Sequence, residues 1–195
     1  MSRQSFKPGN MLYPLPAVMV SCQRPGEAPN IITCAWTGTV CSDPAMVYIS
    51  VRPSRYSHGI IRDTGEFVIN LVNRKLTRSM DLCGVRSGRE VDKFSLCHLT
   101  AVPSQSVGAP SIGESPVSIE CKVTQVLPLG SHDMFLANVA AVTVDGKLLD
   151  EKGAFHLNRA GLTAYSHGGY FTLGERLGKF GYSVRKKRNN EGRHT

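Results

Sequence analysis

The chain has 195 residues, of which 41% are hydrophobic and 19% charged, with a formal net charge of +8. That length suits a single domain able to bury roughly 70% of its unfolded surface, and the composition excludes a disordered chain. Nothing approaches the ~18 consecutive apolar residues of a membrane-spanning helix, and the cysteines at 22, 34, 41, 83, 97 and 121 match no zinc or iron–sulfur spacing.

The amino terminus is polar and broken by Pro8, Pro14 and Pro16, so no secretion signal is read there. Residues 17–22, AVMVSC, read as a first strand, turning at Arg24-Pro25-Gly26 and re-entering at Asn30. Residues 30–40 carry β-branched and aromatic side chains and are expected as one strand. Ser42-Asp43-Pro44 is a turn, because Pro44 fixes its own φ and biases Asp43 away from helix. Residues 46–51 form a short, almost wholly apolar run, the pattern of a strand covered on both faces. The polar loop Arg52-Pro53-Ser54-Arg55-Tyr56-Ser57 follows, and then a short helix over 57–63 with Ser57 as its N-cap. Thr64-Gly65 ends that helix and 66–71 returns as a strand. Leu76, Met80 and Cys83 recur at helical spacing, so the longest helix is expected over 73–85, with Gly84 and Gly88 marking its frayed end.

Residues 90–94 form a short turn of helical character, and 104–115 hold too many prolines and glycines for a regular element. From Val117 the alternation is clear: Val117, Ile119, Cys121 and Val123 on one face, Ser118, Glu120, Lys122 and Thr124 on the other, a half-buried strand. Residues 135–144 are another strand, turning at Asp145-Gly146, a type I′ hairpin signal, into a return at 148–150. Short strands, tight turns and few helices argue a mostly β chain built as an antiparallel barrel. Neither a dinucleotide-binding glycine fingerprint nor a P-loop occurs, and no internal repeat is visible.

Beyond Val184, Arg185, Lys186, Lys187, Arg188 and Arg193 stand against Glu191 alone, so half of the positive excess lies in residues 185–195. These are expected to form a basic flexible tail on a domain spanning 1–184. The mildly basic body suits a small anionic ligand better than a nucleic-acid duplex, which wants a basic face.

The order N-I-I-T-x-A-W, a turn, V-Y-I-S-V-R-P-S-R-Y-S and then G-E-F-V-I-N-L resembles the flavin reductase-like FMN-binding proteins, and within them the flavoredoxins. The likeness continues through Gly130-Ser131-His132-Asp133-Met134 and Gly168–Ser183, covering most of the chain. It implies an FMN-binding split β-barrel of Greek-key type, a homodimer with non-covalent FMN near the subunit interface.

A flat ring needs apolar contact on its face and hydrogen bonds at its edge. The family uses the 30–36 segment along the isoalloxazine, so Asn30, Thr33, Ala35 and Thr37 are expected at the ring edge and Trp36 as an apolar wall. Arg52, Ser54, Arg55 and Ser57 offer guanidinium forks and hydroxyls to the FMN phosphate. By resemblance, Lys93 lies toward the flavin, at its N1–O2 edge. His132 sits at the flavin site as the catalytic candidate, a donor or proton shuttle, and Tyr165 lines the ring. No metal cluster is expected from the remaining histidines.

The resemblance implies a cytoplasmic FMN oxidoreductase that takes electrons from NADH or NADPH. The alternative is a flavoredoxin-type carrier fed by a redox partner protein without nicotinamide activity. No membrane or nucleic-acid partner is expected; a module binding acidic partners through its basic tail would be colourless.

Overall fold

The computed structural model describes residues 2–184; the basic tail expected at 185–195 lies outside them. In chain order, β1 (Leu15–Pro16), β2 (Val18–Cys22), β3 (Asn30–Cys34), β4 (Thr37–Ser42) and β5 (Ala45–Val51) lead into α1 (Tyr56–Thr64). Next come β6 (Glu66–Leu71), a 3-10 turn at Arg74–Leu76, α2 (Thr77–Val85) and the short α3 (Lys93–Leu96). The small pair β7 (Ala101–Val102) and β8 (Ser111–Ile112) precedes the long strands β9 (Val117–Pro128) and β10 (Asp133–Val144). A hairpin of β11 (Thr163–Ser166) and β12 (Gly169–Thr172) follows.

Seven strands make one antiparallel sheet in the order β3-β2-β6-β9-β10-β5-β4, curled into a half-barrel. β3 and β4 are neighbours in sequence but stand at opposite edges of that sheet. The strand expected over 30–40 is therefore two, because one continuous strand cannot serve both edges. The break falls at Ala35-Trp36, where the Ser50 N–H donates to the Trp36 carbonyl at 2.8 Å and extends the β4–β5 ladder by one rung.

Both faces of β2 and β3 are buried. Val18, Val20, Ile32 and Cys34 point into the half-barrel with Ile49, Phe67 and Phe135. Ala17, Met19 and Ile31 point the other way, onto Met80 and Cys83 of α2 and onto Phe94. The site grows on this second layer, since α2 packs against β3.

Four local expectations change. β5 alternates between buried and half-exposed residues, so one of its faces is only partly covered. Ser57 lies inside α1, whose N-cap is Arg55 with no side-chain cap; the Ser57 hydroxyl instead accepts from Asn30 Nδ2 at 2.7 Å. The polar face of β9 is not solvated at its start: Ser118 and Glu120 are buried. The 104–112 segment folds over that face, and the Glu120 carboxylate accepts from the Gln105 and Ser106 N–H groups at 2.9 and 2.6 Å. Finally, Asp145-Gly146 is no hairpin turn. Asp145 has φ −63 and caps a 3-10 turn by accepting from the Lys147 N–H, and only an isolated Leu149–Phe155 bridge follows.

Candidate functional site

A cleft of about 290 Å³ opens where the sheet splits. The break at Ala35-Trp36 forms one wall, the end of β5 running into Arg52 another, and Gly84-Val85 at the end of α2 a third. Aromatic rings complete it. Trp36 and His132 lie nearly parallel, with centroids 6.5 Å apart and planes 13° apart. Tyr165 stands 6.4 Å from Trp36 and 5.9 Å from Tyr170. The Tyr170 hydroxyl donates to Asp81 at 2.8 Å, and burial together with that carboxylate pushes its pKa up to about 12. Burial, and then the nearby Arg52 guanidinium, hold the His132 imidazole below its ordinary value of 6.5.

Beyond Ile32, Arg55 and Gly84 the cleft continues into a recess of about 70 Å³. Arg55, Arg86, Arg89 and Lys93 all line it, with the hydroxyl-bearing Ser57 in the first turn of α1, and among the described residues no carboxylate does. Among the described residues none of these four cations is ion-paired with a carboxylate. Lys93 is the most telling. Only 4% exposed, its ammonium donates to the Ile31 and Cys83 carbonyls at 2.6 and 2.7 Å. A third N–H remains for a ligand, and burial pulls its pKa below the usual lysine value. A buried cation with no counter-charge is costly until an anion joins it.

The recess is also shaped. A Cβ on Gly88 would lie 2.1 Å from Asn30 Oδ1 and 2.9 Å from the Tyr56 ring, so only glycine lets the 86–89 turn approach so closely. Arg89 lies over the Tyr56 ring at 5.4 Å and donates to the Ser54 carbonyl at 3.3 Å, which ties that turn to the 52–57 loop. A flat aromatic slot leading into four cations fits a planar ring system that carries a phosphate.

The sequence expectations fall into two groups. Thr33, Ala35, Trp36, Arg52, His132 and Tyr165 line the cleft; Asn30, Ser54, Ser57 and Lys93 line the recess; Arg55 lines both. Asn30 and Lys93, expected beside the ring, line the cation-rich recess and not the aromatic cleft. Thr37 lines neither space, since its hydroxyl is buried and donates to the Tyr48 carbonyl at 2.7 Å. The Thr33 hydroxyl is likewise engaged, bonded to the Met80 carbonyl.

The sequence model of the flavin reductase like domain matches residues 10–174. The chain belongs to this family. It is 30% identical over 141 residues to an uncharacterized protein of Archaeoglobus fulgidus, covering 72% of this chain and 78% of that protein. Among solved structures it is similar to the flavoredoxin of Desulfovibrio vulgaris (Miyazaki F), with a TM-score of 0.87 and 30% identity over 94% of this chain and all of that one. It is also similar to the FMN-binding protein of Thermus thermophilus with bound 1-cyclohex-2-enone, with a TM-score of 0.74 and 26% identity over 92% and 98% of the two chains.

Several residues of this flavin reductase-like site escaped the sequence reading. Arg86-Ser87-Gly88-Arg89 repeats the chemistry of the 52–57 loop, and that composition was the available signal; the glycines read as a frayed helix end instead. Asp81 and Tyr170 meet across 89 positions, and no local pattern announces such a pair. The same holds for the buried His58, whose Nε2 lies 2.8 Å from Asp133 Oδ2. That contact braces the helix behind the recess against the strand that begins beside His132.

Proposed function

We propose that the chain is an FMN-dependent oxidoreductase that binds its flavin non-covalently, ring in the cleft and phosphate in the recess. The observation that carries this reading is the buried Lys93, with no ion-pair partner among the described residues, among three arginines in the recess beyond an aromatic slot. The similar Thermus protein, described as FMN-binding, supports the same cofactor. When bound, FMN supplies hydride and single-electron chemistry through its ring. The chain's residues do the rest. Trp36 and Tyr165 present apolar surface to a ring face and shield it from water. Arg55, Lys93 and Ser57 neutralise and orient the dianion. His132, kept neutral at pH 7 by its lowered pKa, offers one ring nitrogen as donor or acceptor at the cleft wall.

NADH or NADPH is the electron donor in this reading. The second reading is a carrier fed by a protein donor, and the 30% identity to a flavoredoxin favours it. A homodimer is part of this reading. Anaerobic addition of NADH and then NADPH to the FMN-loaded protein separates the readings. Fast bleaching of the yellow colour by either nucleotide supports the reductase. Bleaching only by dithionite or a protein donor supports the carrier. A protein that takes up no FMN refutes both.

A further inference from the structure

The thiols of two cysteines take no part in the site chemistry above. Cys83 lies in α2 and Cys97 follows α3, and their sulfurs stand 3.9 Å apart, in contact but unbonded. We propose that Cys83 and Cys97 form a reversible dithiol–disulfide pair whose closure loosens the anion recess.

The geometry sets both the reaction and its consequence. A disulfide needs its sulfurs about 2 Å apart, so a shift of roughly 2 Å closes the bond. Cys97 is half-buried and Cys83 only 1% exposed, so a reagent meets Cys97 first. Burial, with Cys97 beside it, pushes the Cys83 thiol up to about 12, so Cys83 stays protonated while Cys97 reacts first. The Cys97 thiolate attacks a small-molecule disulfide, forming a mixed disulfide and expelling one thiolate. The Cys83 sulfur then attacks Cys97 Sγ, and its proton leaves with the second small thiol. Two protein thiols are oxidised and one small disulfide is reduced to two thiols.

Lys93 is bonded to both partners. Its ammonium donates to the Cys83 carbonyl at 2.7 Å, and its own carbonyl accepts from the Cys97 N–H at 3.1 Å. Where drawing the sulfurs together moves either backbone, Lys93 shifts relative to one of its anchors. Cys83 itself lines the recess. The effect on flavin affinity rests on the reading of that recess as the FMN phosphate site; bond formation does not.

The test equilibrates the full chain, free of flavin, against glutathione and glutathione disulfide at graded ratios, then blocks free thiols by alkylation. The expected result is a loss of two hydrogens in the intact mass and a link between tryptic peptides 79–86 and 94–122 through Cys97. FMN affinity should fall about tenfold, the loss of roughly one charge-assisted hydrogen bond, and return on reduction with dithiothreitol. Cys97→Ser should abolish both changes and Cys41→Ser neither. The wild-type peptide map decides the matter even if a variant misfolds. Glutathione adducts without linked peptides overturn the proposal, and so does a bridge that leaves FMN affinity unchanged. A reduced protein that binds no FMN defeats the cofactor reading and with it the proposed effect, while the linked peptides still report the bond separately.

Discussion

Replacing Lys93 by methionine shortens the side chain by one atom and removes its charge. In the flavin-free protein the Ile31 and Cys83 carbonyls lose donors now at 2.6 and 2.7 Å. Hydrogen bonds from a charged donor are worth about 1.5–3 kcal/mol each. Against that loss, the variant no longer holds an unpaired ammonium in the interior, a burden of several kcal/mol. The opposing terms are of similar size, so stability without flavin should stay within about 2 kcal/mol of wild type. Binding should behave differently. Truncating one partner of a buried charge pair costs about 2–5 kcal/mol, and at about 3 kcal/mol FMN binds over a hundredfold more weakly. Riboflavin has the same ring and no phosphate, and its affinity should change little. Fluorescence titration with both ligands, with thermal unfolding of the free protein, measures each quantity. An equal loss for FMN and riboflavin would place Lys93 at the ring and refute the recess assignment. Unchanged FMN affinity would remove Lys93 from the site.

Gly88→Ala puts a Cβ 2.1 Å from Asn30 Oδ1 and should break the Asn30–Ser57 bond; titration should show FMN affinity falling at least tenfold, with stability lowered by about 1–3 kcal/mol of overpacking. Glu120→Gln turns one of two accepted N–H bonds into a donor facing a donor; the loss should be about 2–4 kcal/mol, read as a lower urea midpoint with unchanged slope. His132 should titrate by NMR below 6.5, and Arg52→Gln should move the midpoint upward, because a nearby cation is removed. The sign for stability follows. The unfolded imidazole takes its proton first as pH falls, so the contribution of His132 is complete above 6.5 and is lost as pH falls through the folded value.

The local patterns carried much of the fold. β6 coincides with the strand read over 66–71, and α2 with the main part of the helix read from Leu76, Met80 and Cys83. What failed was decided by distant partners. Glu120 reads as solvent-facing because its neighbours alternate, yet the 104–112 segment comes back over it. Residues 30–40 read as one strand because nothing local reveals that the two sheet edges part at Trp36. The site shows the same divide. The 52–57 loop was legible from its guanidinium groups and hydroxyls, and the resemblance supplied Lys93 and His132. That Lys93 lines the recess rests on its contacts with Ile31 and Cys83, 62 and 10 positions away. Thr37 was plausible by proximity to Trp36, but strand alternation turns its side chain into the barrel.

The most direct test of the account is an experimental structure of the protein with FMN bound. The account predicts the phosphate in the recess, within hydrogen-bond reach of Ser57, Arg55 and the Lys93 ammonium, with the ring alongside Trp36 in the cleft. A phosphate held outside the recess, or a flavin ring bound away from Trp36, would contradict it.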